Sequence, residues 1–242
     1  MRKVYALVAC EESQAVTIAL RKRGIIAFSC DILPCSGGHP EWHIQDDVRE
    51  WLWKNKYNDG QGWDIIIAHP VCTRLTNSGV RWLHERNLWE ELDEAARFFR
   101  LFLEADADYI AVENPIPHKY AVERIGRSYD QCIQPYMFGH PERKATCFWI
   151  KNLQWLRPTN NVKAQMEALP KSQAQRIHYL SPGADRAKER SKTFPGIADA
   201  MADQWGRYVL AQRQKDAKAS GVETLRTPPT PEDVGIRAGD IL

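Results

Sequence analysis

The chain has 242 residues, 43% of them hydrophobic and 26% charged, with a formal net charge of +2. That size suits one large domain, or one domain with a small appendage. No apolar run nears the length of a membrane span, and the opening MRKVYALVACEES is too briefly apolar for a secretory signal, so a cytoplasmic protein is expected.

KVYALVA (3–9) reads as a first strand, and SQAVTIALRKRG (13–24) has helical spacing with Gly24 as its stop signal. IIAFSCD (25–31) is a second strand, DVREWLWKNK (47–56) a short amphipathic helix and WDIIIA (63–68) a third strand. The segment 80–105 carries an apolar stripe and predicts one long helix. YIAVEN (109–114) is another strand, and DQCIQPYMFG and ATCFWIKN follow as strands or a hairpin. Strands that are near-continuous apolar runs, alternating with helices, indicate an α/β fold: a Rossmann-like, mostly parallel sheet. Periodicity weakens over 155–195, and 196–219 predicts a closing helix of the core. The polar, Pro-rich tail 220–242 is expected to be disordered. The expected organisation is therefore a core over 1–154, a small basic segment over 155–195 and a closing helix.

Charge is unevenly spread. Residues 141–190 hold ten Lys or Arg against four Asp or Glu, whereas 191–242 carry seven of each. A basic segment on a mildly acidic body suits a polyanionic partner at one face, although a solvated basic surface gives the same count. The six cysteines are scattered through strands and strand ends, which fits reduced thiols better than a disulfide framework.

In such sheets ligands bind beyond the carboxyl ends of the strands. Cys72 falls there, after His69 and Pro70, in a polar loop with Thr73, Arg74, Thr76, Asn77 and Ser78. A free cysteine is usually a small core hydrophobe, but this loop is a poor place for one, and Arg74 would favour a thiolate. Glu113 and Asn114 close the next long strand and so belong beside Cys72. A carboxyl at the end of an apolar strand is costly unless it is paired or used. A Cys with a neighbouring Glu and Asn suits nucleophilic attack with proton delivery.

These residues carry a resemblance. HPVCTRLT resembles the Pro-Cys nucleophile loop that follows the fourth strand in cytosine-5 DNA methyltransferases. ENP at 113–115 is similar to their Glu-Asn-Val motif, and small phage-type relatives are the nearest in style. The resemblance spans residues 3 to about 150 in element order and implies the S-adenosylmethionine-dependent methyltransferase type of sheet. It implies that Cys72 attacks carbon 6 of a pyrimidine, that Glu113 protonates or hydrogen-bonds ring nitrogen 3, and that Asn114 holds the loop or the base. Carbon 5 then takes a methyl group from S-adenosylmethionine. Family members acting on duplex DNA flip the target base.

For the cofactor, the resemblance implies contacts at Cys10, Glu11, Glu12, Asp31, Ile32, Asp47, His69 and Pro70. Glu11 or Glu12 would meet its ammonium, Asp31 its ribose hydroxyls, and Asp47 its adenine amino group. Asp64, opening WDIIIA, is a further acid near these motifs. FGHPERKATCFW (138–149) resembles the family's Gln-x-Arg-x-Arg motif, which grips the flipped base. Glu142, Lys144 and Thr146 fill its positions in one alignment, and Lys144 and Arg143 are the residues chosen.

Three departures stand out. The first loop, ACEESQAV, has no glycine where the family has Phe-x-Gly-x-Gly, and Val71 replaces a second proline. The stretch after the Gln-Arg motif is short; Trp155, Gln173, Gln175, Arg176, His178 and Tyr179 in it suit phosphate and base contacts. DNA is the expected partner, with RNA, a free pyrimidine nucleotide, or a catalytically silent nucleic-acid-binding role as alternatives. Cys30, Cys35, His39 and His43 have spacings close to a zinc site, but the gap between the Cys and His pairs is short for one; no metal is expected.

Overall fold

Among the described residues seven strands form one sheet: β1 (Tyr5–Ala9), β2 (Ile26–Asp31), β3 (His43–Gln45), β4 (Trp63–Ala68), β5 (Ala107–Asn114), β6 (Gln131–Ile133) and β7 (Thr146–Lys151). Their order is β3-β2-β1-β4-β5-β7-β6. The first five are parallel, and β7 runs antiparallel to both β5 and β6. The computed structural model describes residues 3–219 apart from 54, 59–60, 78–79 and 182–183. The tail expected to be disordered lies outside the described residues, as does Ser78.

Among the described residues ten helices accompany the strands: α1 (Ala15–Arg21), α2 (Val80–Glu85), α3 (Trp89–Leu103), α4 (Lys119–Ile125), α5 (Lys163–Ala168), α6 (Lys171–Ala174), α7 (Arg176–Tyr179), α8 (Ala184–Ser191), α9 (Pro195–Ala200) and α10 (Arg207–Ala219). A π turn over Met201–Gly206 joins the last two, so the expected closing helix is present. Successive strand residues point to opposite faces. Leu7, Ile66 and Val112 therefore pack with Leu92, Phe99 and Phe102 of α3 on one face. Ala6, Val8, Ile65 and Ile67 pack with Leu20, Ile197 and Trp205 on the other. This is the expected α/β, Rossmann-like, mostly parallel sheet, covered on both sides.

Asp64 belongs to this scaffold. It sits at the entry of β4, the end opposite the carboxyl edge. There it accepts from Tyr5 N–H at 2.8 Å and pairs with Arg213 Nε of α10 at 2.7 Å. Arg213 also reaches Asp108, so one guanidinium locks the closing helix to two strand entries.

Three expected elements differ. The helix expected over 47–56 is only a turn over Val48–Glu50, with residue 54 outside the description. The carbonyl of Trp51, which a helix would turn to residue 55, instead accepts from Trp63 Nε1 at 2.6 Å. The long helix over 80–105 breaks into α2 and α3 at Asn87, whose φ is 51°. Leu88 N–H bonds back to Leu83 C=O, the hydrogen bond of a left-handed helix stop. Finally, His43–Gln45 adds a short edge strand that three residues could not announce, and it makes WDIIIA the fourth strand. The strands at 131–133 and 146–151 do form a hairpin.

Candidate active site

The sheet reverses its strand order between β1 and β4. Loops diverge there and leave a crevice beyond the carboxyl ends. A cleft of about 1790 Å³ occupies it, lined from the ends of β1, β2, β3, β4 and β5. Because β7 is reversed, Lys144 and Ala145 ahead of its start reach the same edge. A drug-sized ligand fills some 300–1000 Å³, so there is room for two partners.

Cys72 sits half-buried in the loop after β4 and lines the cleft. Cys72 C=O accepts from Leu75 N–H at 3.0 Å, and Leu75 is buried. His118 grips the same loop: its N–H bonds to Leu75 C=O at 3.2 Å and its Nε2 to Arg74 C=O at 2.8 Å. His118 Nδ1 meanwhile accepts from Ala121 N–H and caps α4. Burial holds its pKa below the ordinary value, in keeping with an unprotonated Nδ1. Loop rigidity thus comes from His118 and the Leu75 anchor. Val71, where the family has a second proline, is 69% exposed.

Burial raises the Cys72 thiol, and the Glu113 charge raises it further. Lys144 and Arg190 oppose the rise. Arg74 is not the cation that acts here, contrary to expectation: it pairs with Glu91 at 2.6 Å. Arg190 comes from α8, inside the weakly periodic stretch, where only the excess of positive charge hinted at it.

Glu113, on the adjacent strand β5, lines the cleft with Cys72. Its Oε2 lies 2.8 Å from His69 Nδ1, with the two side chains only 12% and 8% exposed. Burial alone would raise the carboxyl, but the hydrogen bond and charge of His69, with Lys144, hold it below the usual range. Asn114 is buried; its Nδ2 donates to Pro115 C=O at 2.6 Å, and its Oδ1 has no hydrogen-bond partner. It supports the loop start and does not line the cleft.

Lys144 Nζ donates to Lys192 C=O at 3.2 Å, at the cleft wall. Arg143 is turned away. Its Nε faces Met166 Sδ at 3.2 Å over a separate small depression of about 170 Å³. Glu142 pairs with Arg176 at 3.2 Å, and Thr146 Oγ1 donates to Lys144 C=O. Of that motif only Lys144 reaches Cys72.

Across the cleft, the loop after β1 manages without glycine. Cys10 and Gln14 take left-handed φ values of 57° and 59°. Cys10 N–H bonds to Cys30 C=O at 2.7 Å. Gln14 accepts from His39 N–H and donates to His39 C=O, pinning this loop to the one after β2. The two pack so closely that a Cβ on Gly37 would lie 2.6 Å from Gln14 Cβ and Ser13 C=O. Glu11 is spent on the fold: its carboxylate accepts from Val16 N–H, Thr17 N–H and Thr17 Oγ1. Burial raises its carboxyl. Glu12, Asp31, Ile32, Asp47 and Pro70 line the cleft, as does Cys10. Asp31 Oδ1 accepts from Leu33 N–H, Ile32 is 72% exposed, and Asp47 is held by Arg49 Nε at 2.9 Å.

The zinc arrangement does not assemble. His43 uses both ring nitrogens, on Ser29 Oγ and Leu33 C=O, and His39 stacks on Trp42. Among the described residues no three His, Cys, Asp or Glu side chains converge as a metal site. Nor, among them, is any helix long and apolar enough to cross a membrane.

No family model matches the chain, and no curated protein matches it. Solved structures do. A structure described as a DNA modification methyltransferase encoded within an E. coli prophage is 15% identical, over 70% of this chain and 56% of that one, with a TM-score of 0.42. The Entamoeba histolytica methyltransferase EhMeth is 14% identical, over 66% of this chain and 58% of its own, with a TM-score of 0.43. The S. pombe Dnmt2 methyltransferase is 14% identical, over 77% and 62%, with a TM-score of 0.40. The chain thus spans less than two thirds of each.

Proposed function

We propose that this protein is an S-adenosylmethionine-dependent methyltransferase acting on carbon 5 of cytosine, with DNA as substrate, inside a bacterial or phage-infected cell. The observation that carries the reading is one cleft, at the switch point of the sheet, holding Cys72 and Glu113 from adjacent strand ends with Lys144 beside them. A nucleophile, a proton-transfer group and a cation over one cavity suit addition to an electron-poor ring.

Cys72 gives up its thiol proton to solvent and adds through sulfur to carbon 6, and Glu113 delivers a proton to ring nitrogen 3 as charge develops there. Carbon 5 thereby becomes nucleophilic. Loss of the carbon-5 and nitrogen-3 protons to solvent and departure of Cys72 as a thiolate restore the aromatic ring. Cys72 rests as a thiol, since burial and Glu113 outweigh Lys144 and Arg190, which favour the thiolate. Asn114 fixes the start of the loop after β5.

The cofactor's chemistry fits the opposite wall. Asp31 offers a carboxylate for ribose hydroxyls, exposed Ile32 an apolar surface for a base, and Glu12 and Asp47 a negative field for a cationic ligand. Backbone at Cys10 and Pro70 closes that end. When bound there, S-adenosylmethionine supplies the electrophilic methyl group. Glu11 has a capping role in this reading, Arg143 an outer one.

The segment 155–195 supplies recognition. Ile177, His178 and Arg190 line the cleft, while Trp155 and Tyr179 are 63% and 56% exposed. The test is transfer of labelled methyl from S-adenosylmethionine to duplex DNA, single-stranded DNA, RNA and free dCMP. Label in DNA as 5-methylcytosine supports the proposal. Label only in RNA or dCMP moves the substrate, and none in any arm with folded protein overturns the enzymatic reading.

A further inference from the structure

His69 lines the cleft, and the chemistry above assigns it no work. It begins the loop after β4, and its backbone N–H continues the sheet ladder to Ala9 C=O at 2.9 Å. Its side chain is almost wholly buried, with Nδ1 2.8 Å from Glu113 Oε2. Its Nε2 is buried and has no hydrogen-bond partner. A carboxylate can only accept, so Nδ1 carries a proton toward Glu113. A buried ring nitrogen left over is expensive, and needs a reason.

Glu113 supplies the reason. Its environment keeps it a carboxylate at neutral pH, since the His69 contact and Lys144 outweigh the effect of burial. A carboxylate cannot give a proton to ring nitrogen 3. Something must load it, and the group in contact is an imidazole.

We infer that His69 is a positioning residue that aims Glu113 and serves as its proton source, so that the acid of this site is the His69–Glu113 pair. The inference rests on the proposed methyl transfer. As Cys72 sulfur bonds to carbon 6, the Nδ1–H bond of imidazolium His69 breaks and an O–H bond forms on Glu113. That O–H bond breaks in turn as ring nitrogen 3 gains the proton. His69 is left neutral with its remaining proton on Nε2, Glu113 is again a carboxylate, and solvent reloads the pair. The charged and titratable groups that bear on the pair are Glu11, after β1, beside His69, and, beside Glu113, Cys72 in the loop that His69 begins, Lys144 ahead of β7 and Cys147 on β7. Glu11 is held by the α1 cap, so it does not compete for the His69 proton.

His69→Asn separates aiming from loading, because the amide keeps an N–H near the Nδ1 position and cannot ionise. We expect kcat for methyl transfer to fall by about tenfold or more, the general-acid share, with KM for DNA little changed. Wild-type kcat in His69→Asn would overturn the inference and leave His69 merely structural.

A second readout uses resting, unmutated protein labelled with 15N-histidine. The inference requires a slowly exchanging Nδ1 proton on His69 that vanishes in Glu113→Ala. Its absence overturns the inference whatever the activity. A protein that shows this proton but transfers no methyl group to any substrate overturns the proposed function, and the proton-delivery role with it.

Discussion

The two walls of the cleft carry opposite charge and are built by opposite means. Over β1, β2 and β3 the wall is acidic, with Glu12, Asp31, Asp46 and Asp47, and its loops are fixed by backbone: left-handed Cys10 and Gln14 against close-packed Gly37. Over β4, β5 and β7 the wall is basic beside the thiol, with Lys144 and Arg190, and it is fixed by side chains, His118 on one loop and His69 on Glu113. A sulfonium cofactor suits the first wall and a polyanion the second. The sheet's switch point is what keeps two such ligands adjacent without mixing their fields. Net charge, at +2, conceals this division entirely.

The comparison breaks most completely at the nucleophile. Cys72→Ala should lower methyl transfer by a factor on the order of 10³ or more, while cofactor binding measured by calorimetry is retained. On the acidic wall, Asp31→Asn should raise the Kd for S-adenosylmethionine about tenfold, the worth of a charge-assisted hydrogen bond, without moving DNA affinity. The reverse pattern is expected across the cleft. Lys144→Ala and Arg190→Ala should each weaken DNA binding a few-fold and reduce the salt slope by about 1, with cofactor affinity unaltered.

The smallest effect separates the basic wall's thiol from a bystander. Cys132 on β6 is exposed and paired across the hairpin with Cys147, whose hydrogen bond holds its thiol down to about 7. Cys72 is raised by burial. At pH 7.5 without substrate, iodoacetamide should therefore alkylate Cys132 before Cys72, as peptide mass mapping would read. The Cys132 rate should fall as pH drops through about 7, because the thiolate is the reactive form.

Strand runs such as WDIIIA and YIAVEN were legible because a buried parallel strand leaves no polar positions, and the carboxyl-edge rule then placed Cys72 beside Glu113. What the sequence hid was long-range. The turn at Val48–Glu50 looked helical until Trp63 took the Trp51 carbonyl, and Asn87 broke a stripe that periodicity alone continues. Glu11 is an acid in the right loop whose oxygens are consumed by α1. Arg74 was the nearest cation in sequence to Cys72, yet the cations acting on the thiol are Lys144, which the sequence reading chose with Arg143, and Arg190, which it did not. His69 stood in plain view within HPVC, and only the pairing of β4 with β5 brings its ring to Glu113.

The most direct test of the central claim is covalent trapping. Duplex DNA carrying 5-fluorocytosine, whose carbon 5 cannot lose a proton in the final step, is incubated with the protein and S-adenosylmethionine, then denatured and analysed by mass spectrometry. The account predicts a one-to-one protein–DNA adduct that maps to Cys72 and is missing in Cys72→Ala. No adduct from folded protein that binds both ligands, or an adduct on any other cysteine, would contradict it.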